Sequence, residues 1–315
     1  MRIAFMGTPE FAVPSLRALI DAGYEVAGVF TQPDRPAGRG NKLTACPVKL
    51  LAQEKGVPVY QFEKIRRREG REALEALKPD LVVTAAFGQI LSQRILDIPP
   101  LGTLNVHASL LPAYRGAAPI NWCIALGEKK AGVTTMFTDI GIDTGDMALS
   151  AETEIGELET AGELTVRLSE MGAKLLVETI RRIEDGTCPR VKQDESKMSH
   201  QPMLSREDGL IDWTMSAEEI ACRVRGFNPW PGTFTYMPDG GAMKLWLARA
   251  AENQGGGRPG EVIEASAKKG LLVACGEGAL EVLEMQAPGS KRMNAKAYLM
   301  GKPMPVGMLF SRERQ

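Results

Sequence analysis

An amide and an imidazole two residues apart, Asn105 and His107, stand where an apolar run ends in Asn105-Val-His107-Ala-Ser109-Leu110-Leu111-Pro112. Side chains two apart on an extended strand project to the same side, so both can reach one reacting carbonyl. Each offers an N–H donor, and donors aimed at one oxygen stabilise the negative charge that develops when a nucleophile attacks a carbonyl. The imidazole can also carry a proton. His107 is one of only two histidines in the chain. An isolated histidine at a strand end is better explained by ordinary hydrogen bonding; the amide beside it gives the pair a chemical reading.

Downstream, Asp139-Ile140-Gly141-Ile142-Asp143-Thr-Gly145-Asp146 sets three carboxylates in a glycine-bearing loop after a strand. Glycine tolerates positive φ and close backbone approach, so this loop can fold over the strand end and bring one acid to the imidazole. Alone, such a loop reads as a solvated turn. Together with Asn105 and His107 it becomes a catalytic candidate.

These groups need a scaffold, and the first half of the chain predicts one. Short apolar runs alternate with amphipathic stretches: 3–6, a helix over about 10–22, 25–30, a helix after Cys46-Pro47, 80–87, a short helix near 89–96, 102–107, a helix near 117–126, and 132–138. That alternation predicts an α/β, Rossmann-like, mostly parallel sheet with helices on both faces. Such sheets bind ligands beyond the carboxyl ends of their strands, where Gly7, Phe87-Gly88-Gln89 and His107 fall. The first turn, Gly7-Thr8-Pro9-Glu10-Phe11-Ala12, lacks the spaced glycines of a dinucleotide site, so no dinucleotide is expected. With two histidines and no Cys-x-x-Cys pair, no metal site is expected either.

A chain of 315 residues with 44% hydrophobic content predicts two domains. A catalytic domain over 1–189 closes with a long amphipathic helix from 158 to about 183, and a polar linker spans 190–208. Beyond it, residues 209–315 hold short apolar runs at 233–237, 243–249, 260–264, 271–275 and 280–286, separated by Gly, Pro and Asp turns. That spacing predicts a smaller C-terminal β-barrel, OB-like. Five scattered cysteines suggest neither a disulfide framework nor export and fit a reducing cytoplasm. The first apolar run stops at Gly7 and reads as a strand; no membrane segment and no need for more than a monomer are read here.

The combination Asn105-x-His107-x-Ser109-Leu-Leu-Pro112, then Tyr114-Arg115-Gly116, then Asp143-Thr-Gly-Asp146 resembles the signature of the folate-dependent formyltransferases. The resemblance implies Asn105, His107 and Asp143 as catalytic residues and 10-formyltetrahydrofolate as co-substrate. It implies further that Phe87, Gly88, Gln89, Ser109, Leu110, Leu111, Pro112, Ile140 and Gly141 bind the folate, largely through backbone groups. Thr31-Gln-Pro-Asp-Arg35-Pro-Ala-Gly-Arg39-Gly40 and Phe227-Asn-Pro-Trp-Pro231 are similar to the branch of the family whose acceptor is initiator methionyl-tRNA. An amino sugar or another small amine is the alternative acceptor. A non-catalytic RNA-binding protein is disfavoured, because a binding module has no use for all three catalytic groups.

The segment 31–49 is long for a strand-to-helix connection and carries Arg35, Arg39, Lys42 and Lys49 against Asp34 alone. Long ordered loops in compact domains tend to be functional, and the resemblance implies that Arg35, Arg39 and Lys42 meet the acceptor end of the tRNA. The overall charge of −1 is uninformative. From 205 to 315 there are 14 Lys or Arg against 13 Asp or Glu, so a tRNA-binding C-terminal domain must gather its cations on one face. Arg223, Arg225, Lys244, Lys291, Arg292 and Lys296 are the candidates.

Overall fold

The computed structural model describes residues 1–37, 42–253 and 256–314. They cluster into two compact units. The first comprises Met1–Gly116, Gly132–Thr153 and Thr165–His200, the second Ala117–Ala131, Glu154–Leu164 and Gln201–Gln315.

The first unit is built on seven strands: β1 (Arg2–Gly7), β2 (Glu25–Thr31), β3 (Val59–Gln61), β4 (Leu81–Ala85), β5 (Thr103–His107), β6 (Lys130–Phe137) and β7 (Met147–Glu154). Their order across the sheet is β7-β6-β5-β4-β1-β2-β3. From β5 to β3 all neighbours run parallel. β6 then adds antiparallel to β5, with Leu104 opposite Phe137 and His107 opposite Thr134. The expected mostly parallel sheet is therefore present.

The central strands are largely apolar because helices cover both faces, with Thr84, Asn105 and His107 as polar exceptions near the carboxyl ends of β4 and β5. On one face Ala4, Met6, Phe30 and Val82 pack with Leu74 and Leu77 of α3 (Arg68–Leu77) and with Ile95 and Leu96 of α4 (Gln93–Leu96). On the other lies α6 (Ala161–Glu184), where a β-carbon at Gly172 would press on Val106 and Val133. Val106 alternates with Asn105 and His107 along β5, so these two side chains stand on the face opposite α6. Two further helices complete this unit, α1 (Val13–Asp21) and α2 (Pro47–Glu54), each with a proline in its first turn.

In the second unit α5 (Pro119–Ala125) and α7 (Ala217–Gly226) accompany an antiparallel sheet. Its strands are β8 (Thr233–Tyr236), β9 (Ala242–Ala251), β10 (Val262–Ser266), β11 (Gly270–Ala274), β12 (Ala279–Gln286) and the short β13 (Met293–Asn294), followed by α8 (Ala295–Gly301). The order β8-β9-β12-β11-β10 leaves β8 and β10 at the edges. The chain end bridges them. Val262 donates to the Met308 carbonyl, Phe310 to Gly260, and Ser311 and Tyr236 exchange bonds at 2.9 Å. A barrel-like unit results, with both edges hydrogen-bonded to this strap. Its core holds Ile220 and Val224 of α7 against Leu245, Leu271, Leu280 and Met285.

Within the stretch read as a linker, residues 190–195 bond to the first unit. Val191 exchanges backbone bonds with Met147, Arg190 lies 3.6 Å over the Phe137 ring, and Gln193 and Glu195 bond to Arg115. Their polarity reflects internal partners as much as water.

Candidate active site

Three elements of the first unit meet at the carboxyl end of β5: the strand itself, the turn 108–116 and the loop 138–146. Asn105 is in register with Thr84 on parallel β4. The Thr84 hydroxyl donates to the Asn105 side-chain oxygen at 2.9 Å, which leaves the amide N–H groups for a ligand.

His107, 7% exposed, places Nε2 3.1 Å from the Tyr114 carbonyl oxygen. A carbonyl only accepts, so Nε2 carries the proton and Nδ1 of the neutral ring is an acceptor. Nδ1 lies 3.7 Å from Asp143 Oδ2, an ion-pair distance rather than a direct hydrogen bond. The direct bond to that oxygen comes from the Gly116 N–H at 2.9 Å. The Nε2 N–H is thus occupied by the chain, and Nδ1 is the ring nitrogen nearer Asp143.

Ala86, Tyr114 and Asp143 adopt φ of 45°, 59° and 53°. Left-handed backbone is uncommon away from glycine and clusters at functional sites. Gly145 explains how the loop lies so close to β6, because a β-carbon there would collide with the Phe137 carbonyl oxygen. The side chain of Asp139 shapes the loop tip by accepting from Gly141 N at 3.0 Å and Thr144 Oγ1 at 2.6 Å. Ile140 and Ile142 are left 65% and 61% exposed, an apolar pair beside a polar site.

In the turn, Ser109 Oγ donates to the Ala113 carbonyl at 2.7 Å. Buried Thr134 on β6 donates to the Ser109 carbonyl at 2.7 Å and accepts from Leu111 N at 3.2 Å. Leu111 is buried, and the Leu111–Pro112 peptide is cis. Leu110 packs near Gly132, where a β-carbon would strike it.

Phe87, Gly88 and Gln89 also make contacts within the protein. Phe87 is part of the core. Its carbonyl accepts from Thr8 Oγ1 at 3.3 Å and from Gln32 Nε2 at 3.2 Å, and Gln32 also reaches the Gly88 carbonyl at 3.0 Å. Gln89 accepts from Ile65 N at 2.6 Å and donates to Phe62 O at 2.7 Å. The Gln89 side chain and the 87–88 carbonyls are thus engaged within the protein.

In the basic segment, Arg39 lies outside the described residues, as does the side chain of Lys42. Arg35 is exposed and pairs with Glu63 at 3.3 Å. Lys49 is not a free cation, for its ammonium bonds Asp34 at 2.6 Å and Gln61 at 2.9 Å. Those Lys49 and Gln61 contacts hold the Asp34 carboxyl below the usual carboxylate range. Of the C-terminal cations, Arg225 is buried and turned to the Glu159 carbonyl at 3.4 Å, while Arg292 pairs with Glu284. Lys244 and Arg292 both lie over the Trp246 ring, at 5.5 and 5.2 Å. In 227–231, Phe227 is core, Asn228 donates to the Trp246 carbonyl at 2.7 Å, and Trp230 offers a large exposed surface.

Sequence reasoning passed over Thr84, Thr134, Gln32 and Gln193. A threonine within a strand signals little until the partner strand is known. Among the described residues no group of three acids, histidines or cysteines is arranged to hold a metal ion, and no helix is long and apolar enough to cross a membrane.

Residues 1–180 match the formyl transferase family model and residues 203–303 the formyl transferase C-terminal domain. A methionyl-tRNA formyltransferase of Citrifermentans bemidjiense is 49% identical over 98% of this chain and 96% of its own length. One from Trichlorobacter lovleyi is 51% identical over the same shares. Among solved structures, a sugar 3N-formyl transferase, WlaRD, superposes with a TM-score of 0.69 at 18% identity, over 92% of this chain and 99% of that one. HypX from Aquifex aeolicus, in complex with tetrahydrofolic acid, superposes at 0.63 with 19% identity over 95% of this chain, which spans 47% of that protein's length. These two likenesses concern the fold.

Proposed function

The chain belongs to the methionyl-tRNA formyltransferase family, and from that membership and the site on β5 we infer how it works. The enzyme transfers the formyl group of 10-formyltetrahydrofolate to the α-amino group of methionine on initiator tRNA. The folate supplies a formyl carbonyl with a nitrogen leaving group. Exposed Ile140 and Ile142 fit a flat, partly apolar ring system carrying polar edges.

Asn105 donates to the formyl oxygen as the amine attacks and the oxygen gathers negative charge. The Thr84 hydroxyl aims that amide. Nδ1 of His107 takes the proton shed by the amine, and the resulting imidazolium is held between the Tyr114 carbonyl and the Asp143 carboxylate. The proton then passes to the departing folate nitrogen, so the carbon–nitrogen bond breaks without a charged leaving group. The amine is itself the nucleophile, which leaves no role for Cys123. Its thiol is buried, and burial pushes it up to about 12, far from the thiolate needed for attack.

The first unit carries the chemistry in this reading, and the second, with exposed Trp230 and the Lys244-Trp246-Arg292 cluster, holds tRNA. Arg35, Arg39 and Lys42 meet the acceptor end, and the protein works as a cytoplasmic monomer. The observation that carries the reading is the convergence of oriented Asn105, Nε2-protonated His107 and Asp143 at one strand end. Its test is transfer of labelled formyl from the folate donor to charged initiator tRNA, charged elongator methionine tRNA and small amines in parallel. Label on initiator tRNA is expected; label on a small amine alone would reassign the acceptor to an amino sugar or similar compound.

A further inference from the structure

Asp143 holds a left-handed φ of 53° without being glycine, a conformation that persists only when its surroundings over-determine it. The restraint comes from outside the loop. Gln193 Nε2 donates to the Asp143 carbonyl at 2.7 Å and to the Gly145 carbonyl at 2.9 Å. Its Oε1 accepts from Arg115 Nε at 2.9 Å. Arg115 is 3% exposed and makes a forked contact with Glu195 at 2.7 and 3.1 Å. Gly116, the next residue, donates its N–H to Asp143 Oδ2 at 2.9 Å. Hydrogen bonds therefore close a ring, from the Asp143 backbone through Gln193, Arg115 and Gly116 to the Asp143 carboxylate.

We infer that Gln193 is a positioning residue for formyl transfer: it clamps the backbone of 143–145 so that the Asp143 carboxylate stays beside His107. The inference rests on the reading of Asp143 as the partner of His107. A glutamine suits the place because one planar amide must accept from a guanidinium and donate to two carbonyls at once. A glutamate would keep the contact to Arg115 but turn lone pairs toward two carbonyl oxygens, so it separates the anchor from the clamp.

The test compares single-turnover formyl transfer to charged initiator tRNA, and thermal unfolding, for the full-length parent, Gln193→Glu, Asp143→Asn and the double variant. Gln193→Glu is expected to slow transfer on the order of 10- to 100-fold, the scale of a catalytic group displaced by about an ångström. Its unfolding midpoint should stay near the parent's, since Arg115 keeps both partners. In the Asp143→Asn background the same change should cost nothing further, because both residues act through one carboxylate. Gln193→Met, which preserves side-chain length and leaves Arg115 its Glu195 contact, carries the same expectation should the glutamate variant not fold. An equal fold-loss in both backgrounds, or parental rates for both Gln193 variants, overturns the inference. A parental rate for Asp143→Asn alone overturns the underlying reading of Asp143, and that result is obtained without touching Gln193.

Discussion

Thr84 and Asn105 sit side by side on adjacent parallel strands, and the threonine hydroxyl donates to the asparagine oxygen at 2.9 Å. The bond decides which end of the amide faces a ligand. Unrestrained, a carboxamide can rotate to present either its oxygen or its NH2; with the oxygen occupied, the donor end is the one presented. An oxyanion site needs this pre-orientation, because donors that must reorganise during the reaction lose much of their effect.

Replacing Thr84 by Val keeps the shape and removes the hydroxyl, so Asn105 loses its tether. A fall in kcat on the order of 10-fold is expected. That is smaller than the roughly 100- to 1,000-fold loss typical of deleting the donor itself, as in Asn105→Ala. Thr84→Ser should retain most of the activity, since its hydroxyl can make the same bond. Steady-state kinetics on all three variants decide the matter, and a valine variant as fast as the parent would show that the tether is idle.

The orientation of His107 makes a sharper statement about proton transfer. In His107→Gln a side-chain amide N–H can still reach the Tyr114 carbonyl, yet the basic Nδ1 is gone. The turn should survive while single-turnover transfer drops by roughly 100- to 10,000-fold. Folate binding, followed by fluorescence titration, should change little. Retained turnover in this variant would remove the proton-accepting role from the ring.

The scaffold was legible in the sequence because buried parallel strands are written as apolar runs, and β1, β2, β4 and β5 each appeared within a residue or two of their bounds. β3 and β7 did not. Val59–Gln61 is only three residues long, and Met147–Glu154 mixes polar with apolar residues in the manner of a sheet edge. The candidate catalytic groups were proposed from residue type and spacing, whereas the residues that hold them were not. Thr84 and Thr134 look like ordinary strand threonines, and Gln193 looks like a residue of a polar linker. Their roles depend on which strand lies alongside and on a segment 50 residues from its partner Asp143, neither of which local pattern encodes. The same limit explains Lys49. In sequence it adds to a basic loop, but in the fold it is neutralised by Asp34.

That Asp34–Lys49 contact predicts a pH dependence. The Asp34 carboxyl is held below its ordinary range by the Lys49 ammonium and the Gln61 amide. In the unfolded chain it titrates near its usual value of about 4. A carboxyl whose folded value is the lower one contributes stability that is present above the unfolded value and is lost as pH falls through the folded one. Asp34→Asn should therefore unfold at a lower temperature than the parent at about pH 7, and the gap should close as pH is lowered below about 4. A gap that is constant across that range would mean the carboxylate charge plays no part in anchoring the segment.

The strap that bridges the barrel edges depends on Phe310, which is 2% exposed and stacks on Trp213 with ring centroids 5.8 Å apart and planes inclined by 14°. The flanking backbone of 307–311 bonds Val262 and Gly260 on one edge and Tyr236 on the other. Phe310→Ala removes the side chain that seats the strap and leaves a cavity over Trp213, a class of change that costs about 3–5 kcal/mol. Calorimetry of the full chain should show the loss in the second unit, with tRNA binding weakened before the folate affinity of the first. Trp213 fluorescence offers an independent reading, because its indole should gain solvent access. Loss of folate affinity without any change at Trp213 would contradict the assignment of the strap to barrel closure.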